Sequence, residues 1–263
     1  MFNVKNKASD GSREVSIAKL FPNMITALGL CFGLSSIKLA MSLKFELAVA
    51  FIFIAAILDM MDGGVARALN AQSEFGEVFD SLCDFINFGF CPIFITYLWS
   101  LSSIRFFGWG LVLLCSICMA IRLSRFNSQI SLNTGHPVRS KFFYGIPAPA
   151  SAILILMPLI ASFEFEDAKY LFTQAPQIAM IYIVLIALLT VSVLPTFSLK
   201  NIKVKEKYLT PIMIALIIFV IALFLERWKT VLFFMPLYLL SLPVSFFKFK
   251  RLNKEFKNKQ KNR

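Results

Sequence analysis

Charge is scarce in this chain and histidine nearly absent. Only 16% of the 263 residues are Asp, Glu, Lys or Arg, and the 15 acidic residues are outnumbered by 27 basic ones. The single histidine, His136, falls in a polar loop and cannot build a metal centre alone, so a zinc site of the usual nitrogen and sulfur donors is not expected. Cys31, Cys83, Cys91, Cys115 and Cys118 all lie in or beside apolar runs. Cys115-x-x-Cys118 lacks the soluble βαβ setting of a redox pair, and all five are read as packing residues. Residues 1–16 carry charges of both signs and no small-residue cleavage pattern before an apolar core, which argues against a cleaved signal peptide. No internal repeat is evident.

What fills the chain instead is apolar. Hydrophobic residues make up 58%, with 29 Phe, and the mean hydropathy is +0.73. This excludes an ordinary globular domain. Uncharged runs over Leu20–Ile37, Leu47–Leu58, Phe85–Ile104, Phe106–Ile121, Phe142–Phe163, Tyr170–Leu199, Tyr208–Leu225 and Thr230–Phe247 mark the spans. Most meet the ~20 residues that a ~30 Å hydrocarbon core requires. The predicted fold is an all-α polytopic bundle of about eight transmembrane helices. It forms one membrane domain over residues 17–247, between an N-terminal segment, 1–16, and a basic tail, 248–263.

A net charge of +12 would suit nucleic acid, but the placement of the charges decides otherwise. With a cytoplasmic N-terminus, 21 of the 27 Lys and Arg fall on the cytoplasmic side, leaving Lys38, Lys44, Arg105, Lys169, Arg227 and Lys229 outside. That is the asymmetry of an inner (cell) membrane protein with both termini in the cytoplasm, and no nucleic-acid partner is expected. Arg13–Leu20 can lie along the interface as a short amphipathic helix. The tail from Lys248 to Arg263 is read as a topology signal, with attraction to anionic membrane lipid as the alternative.

Against this background one stretch stands out: Asp59-Met-Met-Asp62-Gly63-Gly-Val-Ala66-Arg67, then Gly76, Asp80 and Asp84. An ionisable group at the centre of a membrane helix costs roughly 2.5–3.5 kcal/mol on insertion scales, so four together need compensation. On helices, Asp59 and Asp62 (i, i+3) share one face and Asp80 and Asp84 (i, i+4) another. Opposed, the two faces make a carboxylate cage, and oxygen donors alone point to two Mg²⁺ or Mn²⁺ ions. Gly63, Ala66 and Gly76 leave room for close approach, and Arg67 is a planar donor suited to phosphate. Metals, an arginine and close backbone approach together suit a pyrophosphate. The plainer alternative is acidic residues in a solvated loop capping two helices.

The stretch resembles the signature of the CDP-alcohol phosphatidyltransferases, D-x2-D-G-x2-A-R-x8-G-x3-D-x3-D, matching at all eight positions. The resemblance implies that Asp59, Asp62 and Asp80 hold two divalent cations on the pyrophosphate of a CDP-linked lipid. Asp84 then serves as base and further metal ligand. Pro22-Asn23-x-x-Thr26 resembles a family stretch beside the nucleotide, which adds Asn23 and Thr26 to Asp62, Gly63, Ala66, Arg67 and Gly76 as CDP-lipid contacts. Arg122-Leu-Ser-Arg125-Phe-Asn127 and Gly145-Ile-Pro147-Ala-Pro149 look like segments of the Bacillus-like phosphatidylserine synthases. That likeness implies CDP-diacylglycerol and L-serine as substrates, Arg122, Arg125 and Lys141 as candidates for binding serine, and a homodimer. A sibling using glycerol 3-phosphate, inositol phosphate or choline is the alternative within the class. A divalent-cation transporter is the alternative outside it, although the last four spans carry almost no polar groups to line a path.

Overall fold

A computed structural model describes residues 20–132, 142–192, 195–197 and 209–243. The predicted helical class holds. Helix α1 (Leu20–Met41) turns through Ser42-Leu43-Lys44 into α2 (Phe45–Ala68). The turn is closed by Leu43 N–H to Ala40 O (2.9 Å) and Lys44 N–H to Leu39 O (3.0 Å). The buried face of α1 is a line of small residues, Thr26, Gly29, Gly33, Ser36 and Ala40. It lets α1 lie close along α2, whose Ala48, Val49, Ile52 and Ala55 are buried against it.

At the far end of α2, Asn70 adopts φ 50°, and Ala71 N–H reaches Ala66 O at 2.9 Å. Asn tolerates this left-handed conformation and stops the helix. Four residues later α3 (Glu74–Asp84) begins, capped by Ser73, whose hydroxyl accepts from Gly76 N–H at 3.1 Å. Helix α3 runs through a π-helical turn (Phe85–Phe90) into α4 (Cys91–Trp99). Pro92, near the start of α4, has no N–H to donate. The extra residue of the π turn is taken up where Cys91 N–H bonds Ile86 O, five residues back.

A short 3₁₀ turn (Leu101–Ile104) leads into α5 (Arg105–Leu132), followed by α6 (Ala148–Glu164), α7 (Glu166–Gln174), α8 (Pro176–Val191), α9 (Leu209–Leu225) and a last helix, α10, over residues 227–243. Two buried clusters hold the bundle. One gathers Ile52, Phe88, Met119 and Leu156; the other gathers Ile93, Val112, Leu154 and Ile183. Large apolar side chains such as Met24 and Leu28 on α1, Leu113 and Ile117 on α5, and Ile181, Leu185 and Leu188 on α8 point outward, as a lipid-facing surface requires.

Among the described residues, four helices are long and apolar enough to cross a membrane: α1, α2, Glu74–Trp99 and Leu101–Ser128. A fifth follows if α7 and α8 count as one span. Two sequence expectations need correction. The span predicted over Phe142–Phe163 does not begin as helix: Phe142–Tyr144 (β1) pairs antiparallel with Pro195–Phe197 (β2), Phe143 opposite Thr196. Gly145, at φ 79°, and Pro147 then delay α6 to Ala148. The run Tyr170–Leu199 is not one helix either. It bends by 90° between α7 and α8, where Pro176 opens a new helix, and its end enters β2. Uniform hydropathy hid both breaks. The expectations for His136 and residues 248–263 fall outside the described residues, as does that for Arg13–Leu20 except at Leu20, which opens α1.

Candidate active site

The cage forms where α1, α2 and α3 converge. Carboxylate oxygens of Asp59, Asp62 and Asp80 lie within 4.8 Å of one another. Asp59 and Asp84 lie close enough for each carboxylate to feel the other's charge, a repulsion that a cation between them would relieve. Asp62 is 5% exposed and accepts a hydrogen bond from Thr26 Oγ1 at 2.5 Å. The same hydroxyl lies 3.1 Å from Pro22 O, so the second turn of α1 orients an α2 carboxylate. Among the described residues no Lys or Arg forms an ion pair with any of the four aspartates. Arg122 of α5 is near enough to Asp84 and Asp59 to interact with both electrostatically. A donor set of three or four hard oxygens without His or Cys fits Mg²⁺ or Mn²⁺.

Two cavities meet at this point. The outer one, about 190 Å³, is lined by Asn23, Thr26, Asp62, Gly63, Ala66, Arg67, Gly76 and Asp80. It is smaller than the roughly 300–1,000 Å³ of a pocket enclosing a whole ligand, so it suits a head group whose apolar part stays outside. The structure thus gathers every residue that the resemblance assigned to the CDP-lipid. Gly76 has a local reason to lack a side chain: a Cβ there would sit 3.0 Å from Asn23 Oδ1 and 3.1 Å from Ser73 Oγ. At Gly63 a Cβ would meet only Arg67 Nη1, at 3.7 Å, so packing does not demand that glycine. The inner cavity lies under the carboxylates, bounded by Gly29, Asp59, Asp84 and Asn87.

Sequence reasoning missed Gln72, Ser73 and Glu77, which also line the outer cavity, and Asn87 below. Ser73 was readable as a helix cap before an amphipathic turn. Asn87 was readable as the next turn of the Asp80, Asp84 face.

The arginines after the motif have structural partners. Arg122 Nε donates to Ile146 O at 2.6 Å, and Arg125 Nη1 to Val191 O at 2.7 Å. Together they tie the end of α5 to the segments on either side of the β-ribbon. Asn127 Nδ2 donates to Ser81 Oγ at 3.0 Å, bringing the same end of α5 to α3. Lys141 lies outside the described residues.

Comparison with known proteins agrees with this geometry. The family model for CDP-alcohol phosphatidyltransferase matches residues 19–175, which hold α1 to α7 and the whole cage. The chain belongs to this family. A relative from Mycobacterium leprae is 33% identical over 232 residues, 88% of this chain and 76% of its own length. One from Helicobacter pylori strain J99 is 36% identical over 223 residues, covering 84% and 88%. A third, from Bacillus subtilis, is 35% identical over 145 residues, covering 55% and 76%. All three carry the name CDP-diacylglycerol–serine O-phosphatidyltransferase.

Proposed function

We propose that the protein transfers the phosphatidyl group of CDP-diacylglycerol to the hydroxyl of L-serine, giving phosphatidylserine and CMP. The observation that carries this reading is the cage itself, complete at all eight signature positions and opening onto a head-group cavity, in a chain whose relatives are named for the reaction. When bound, a pair of divalent cations would supply charge for the pyrophosphate oxygens and for the departing CMP.

The chain's own residues do the rest. Asp59, Asp62 and Asp80 hold the cations, and Thr26 fixes the orientation of Asp62. Asn23, Gly63, Ala66, Arg67 and Gly76 shape the space for the CDP head. Asp84 is both a ligand at the cage edge and the base that takes the serine hydroxyl proton. The serine oxygen forms its bond to the lipid-side phosphorus while the bond from that phosphorus to the bridging oxygen breaks, and the electron pair leaves with CMP. Arg122, beside Asp84, meets the serine carboxylate, and Arg125 and Lys141 are the further candidates for binding serine.

The finer architecture belongs to the same reading. Eight spans make up a membrane domain over residues 17–247 of the inner membrane, with both termini and the cage on the cytoplasmic side. Residues 1–16 and 248–263 flank it, and the enzyme is a homodimer among membrane lipids. Sibling acceptors remain the alternative to test. Membranes holding the protein are given CDP-diacylglycerol with labelled serine, glycerol 3-phosphate, inositol phosphate and choline in turn. Label should enter lipid from serine alone, with one CMP released per phosphatidylserine. Equal or better incorporation from glycerol 3-phosphate would overturn serine as acceptor.

A further inference from the structure

The least explained polar group near the cage is Asn87. It sits on the π turn, three residues after Asp84 and seven after Asp80, so it continues their face inward by one helical turn. It is 3% exposed, and its Oδ1 is buried without a hydrogen-bond partner. Buried amides are rarely left so, and an orphaned one asks for an explanation.

Helix α1 explains how the amide is seated. A Cβ at Gly33 would overlap Asn87 Oδ1 and Cγ, and one at Gly29 would lie 3.9 Å from Asn87 Nδ2. The Gly29-x-x-x-Gly33 pair therefore forms a slot across which the amide lies, oxygen toward Gly33 and nitrogen toward Gly29. The inner cavity is bounded by Gly29, Asn87 and all four aspartates but not by Gly33, so the nitrogen end faces the carboxylates. Its volume of about 10 Å³ is roughly the room for one water or ion. This orientation sets the amide N–H donors toward four carboxylates and leaves the oxygen on the α1 side without a partner.

We propose that Asn87 is a fifth oxygen donor of the cation site, given by a half-turn of its amide. With cations in the cage the local field reverses. Oδ1 would then face the cavity, toward a cation or its coordinated water, and Nδ2 would take its place on the Gly33 side. A neutral amide oxygen is an ordinary ligand for such ions. The glycines of α1 keep the slot wide enough for the turn. This rests on reading the cage as a cation site, and it makes a π-turn residue outside the signature part of that site.

The test is Mn²⁺ affinity, read from the EPR signal of free Mn²⁺ during titration of the metal-stripped, detergent-solubilised protein. Asn87→Leu keeps the shape and removes the oxygen. Its Kd should rise about 10–100-fold, as for lost supporting groups at metal sites. Asn87→Asp keeps an oxygen facing the cavity and should bind within a few-fold of the parent or more tightly. If Asn87→Leu does not fold, Gly33→Ala approaches the same point from α1. The added methyl displaces the amide and should raise Kd in the parent, with no further rise when added to Asn87→Ala. Parent-like affinity in Asn87→Leu, or in Gly33→Ala, would overturn the fifth donor and leave the proposed function standing. A parent that binds no Mn²⁺ would overturn the cation reading of the cage and this inference together.

Discussion

The two ends of the bundle handle charge in opposite ways. At the end where α2 begins and α6 finishes, charged groups find partners within the chain. Lys229 Nζ lies 3.0 Å from Glu226 and 3.8 Å from Glu164, and Trp228 Nε1 donates to Glu46 Oε1 at 2.9 Å. The Trp228 ring also packs on Phe53 and Phe163, at centroid distances of 6.1 and 5.3 Å. At the cage end, four aspartates crowd together, and among the described residues none has a basic partner within ion-pair distance. One end is satisfied by its own side chains, whereas the other presents four acids that the proposed cations and phosphate-bearing ligand would satisfy. Arg122 sharpens the contrast, since its Nε is engaged by a loop carbonyl and it stays near the acids without neutralising them.

The largest expected effect comes from removing a cage charge. Asp59→Asn or Asp62→Asn should lose several kcal/mol of transition-state stabilisation, about 10³-fold or more in turnover. Phosphatidylserine formation measured across a Mg²⁺ range checks this; full activity in either variant would erase the distinction between the two ends. Asp84→Asn should lower kcat by roughly 10²–10⁴, the usual contribution of a general base, while metal-dependent binding of CDP-diacylglycerol survives. A matching collapse of binding would make Asp84 chiefly a ligand.

Thr26→Val keeps the shape of the side chain and removes the donor to Asp62. It should weaken metal affinity about 10–100-fold with a smaller effect on turnover at saturating metal. Arg122→Ala should raise KM for serine more than KM for CDP-diacylglycerol, and equal effects would assign it to the ribbon contact alone. At the opposite end, Lys229→Ala should leave turnover unchanged, because exposed ion pairs contribute little. A clear loss of activity there would show that the ends are coupled.

The cage was legible in the sequence because both of its halves are local. Asp59/Asp62 and Asp80/Asp84 each follow helical periodicity, and a carboxylate pair inside an apolar run has few explanations. The α1 side of the site was half legible. Asn23 and Thr26 follow Pro22 at a readable helix start, but nothing local pairs Thr26 with Asp62, 36 residues away. Asn87 and the Gly29/Gly33 slot escaped notice because their meaning lies in a contact between two helices. The β-ribbon and the bend at Ala175 escaped for another reason: hydropathy measures burial in lipid and is indifferent to whether an apolar segment is helix or strand. The ribbon nevertheless bears on the site, since Arg122 and Arg125 are anchored on its flanks.

The claim on which the comparison turns is that the cage end is completed by a pair of divalent cations. Low-temperature EPR of metal-stripped protein reloaded with Mn²⁺ tests it directly, because two ions held roughly 3.5–4 Å apart couple their spins. Expected is a spin-coupled pair spectrum in the parent that disappears in Asp59→Asn. An isolated six-line signal at saturation, or a pair spectrum indifferent to Asp59→Asn, would contradict it.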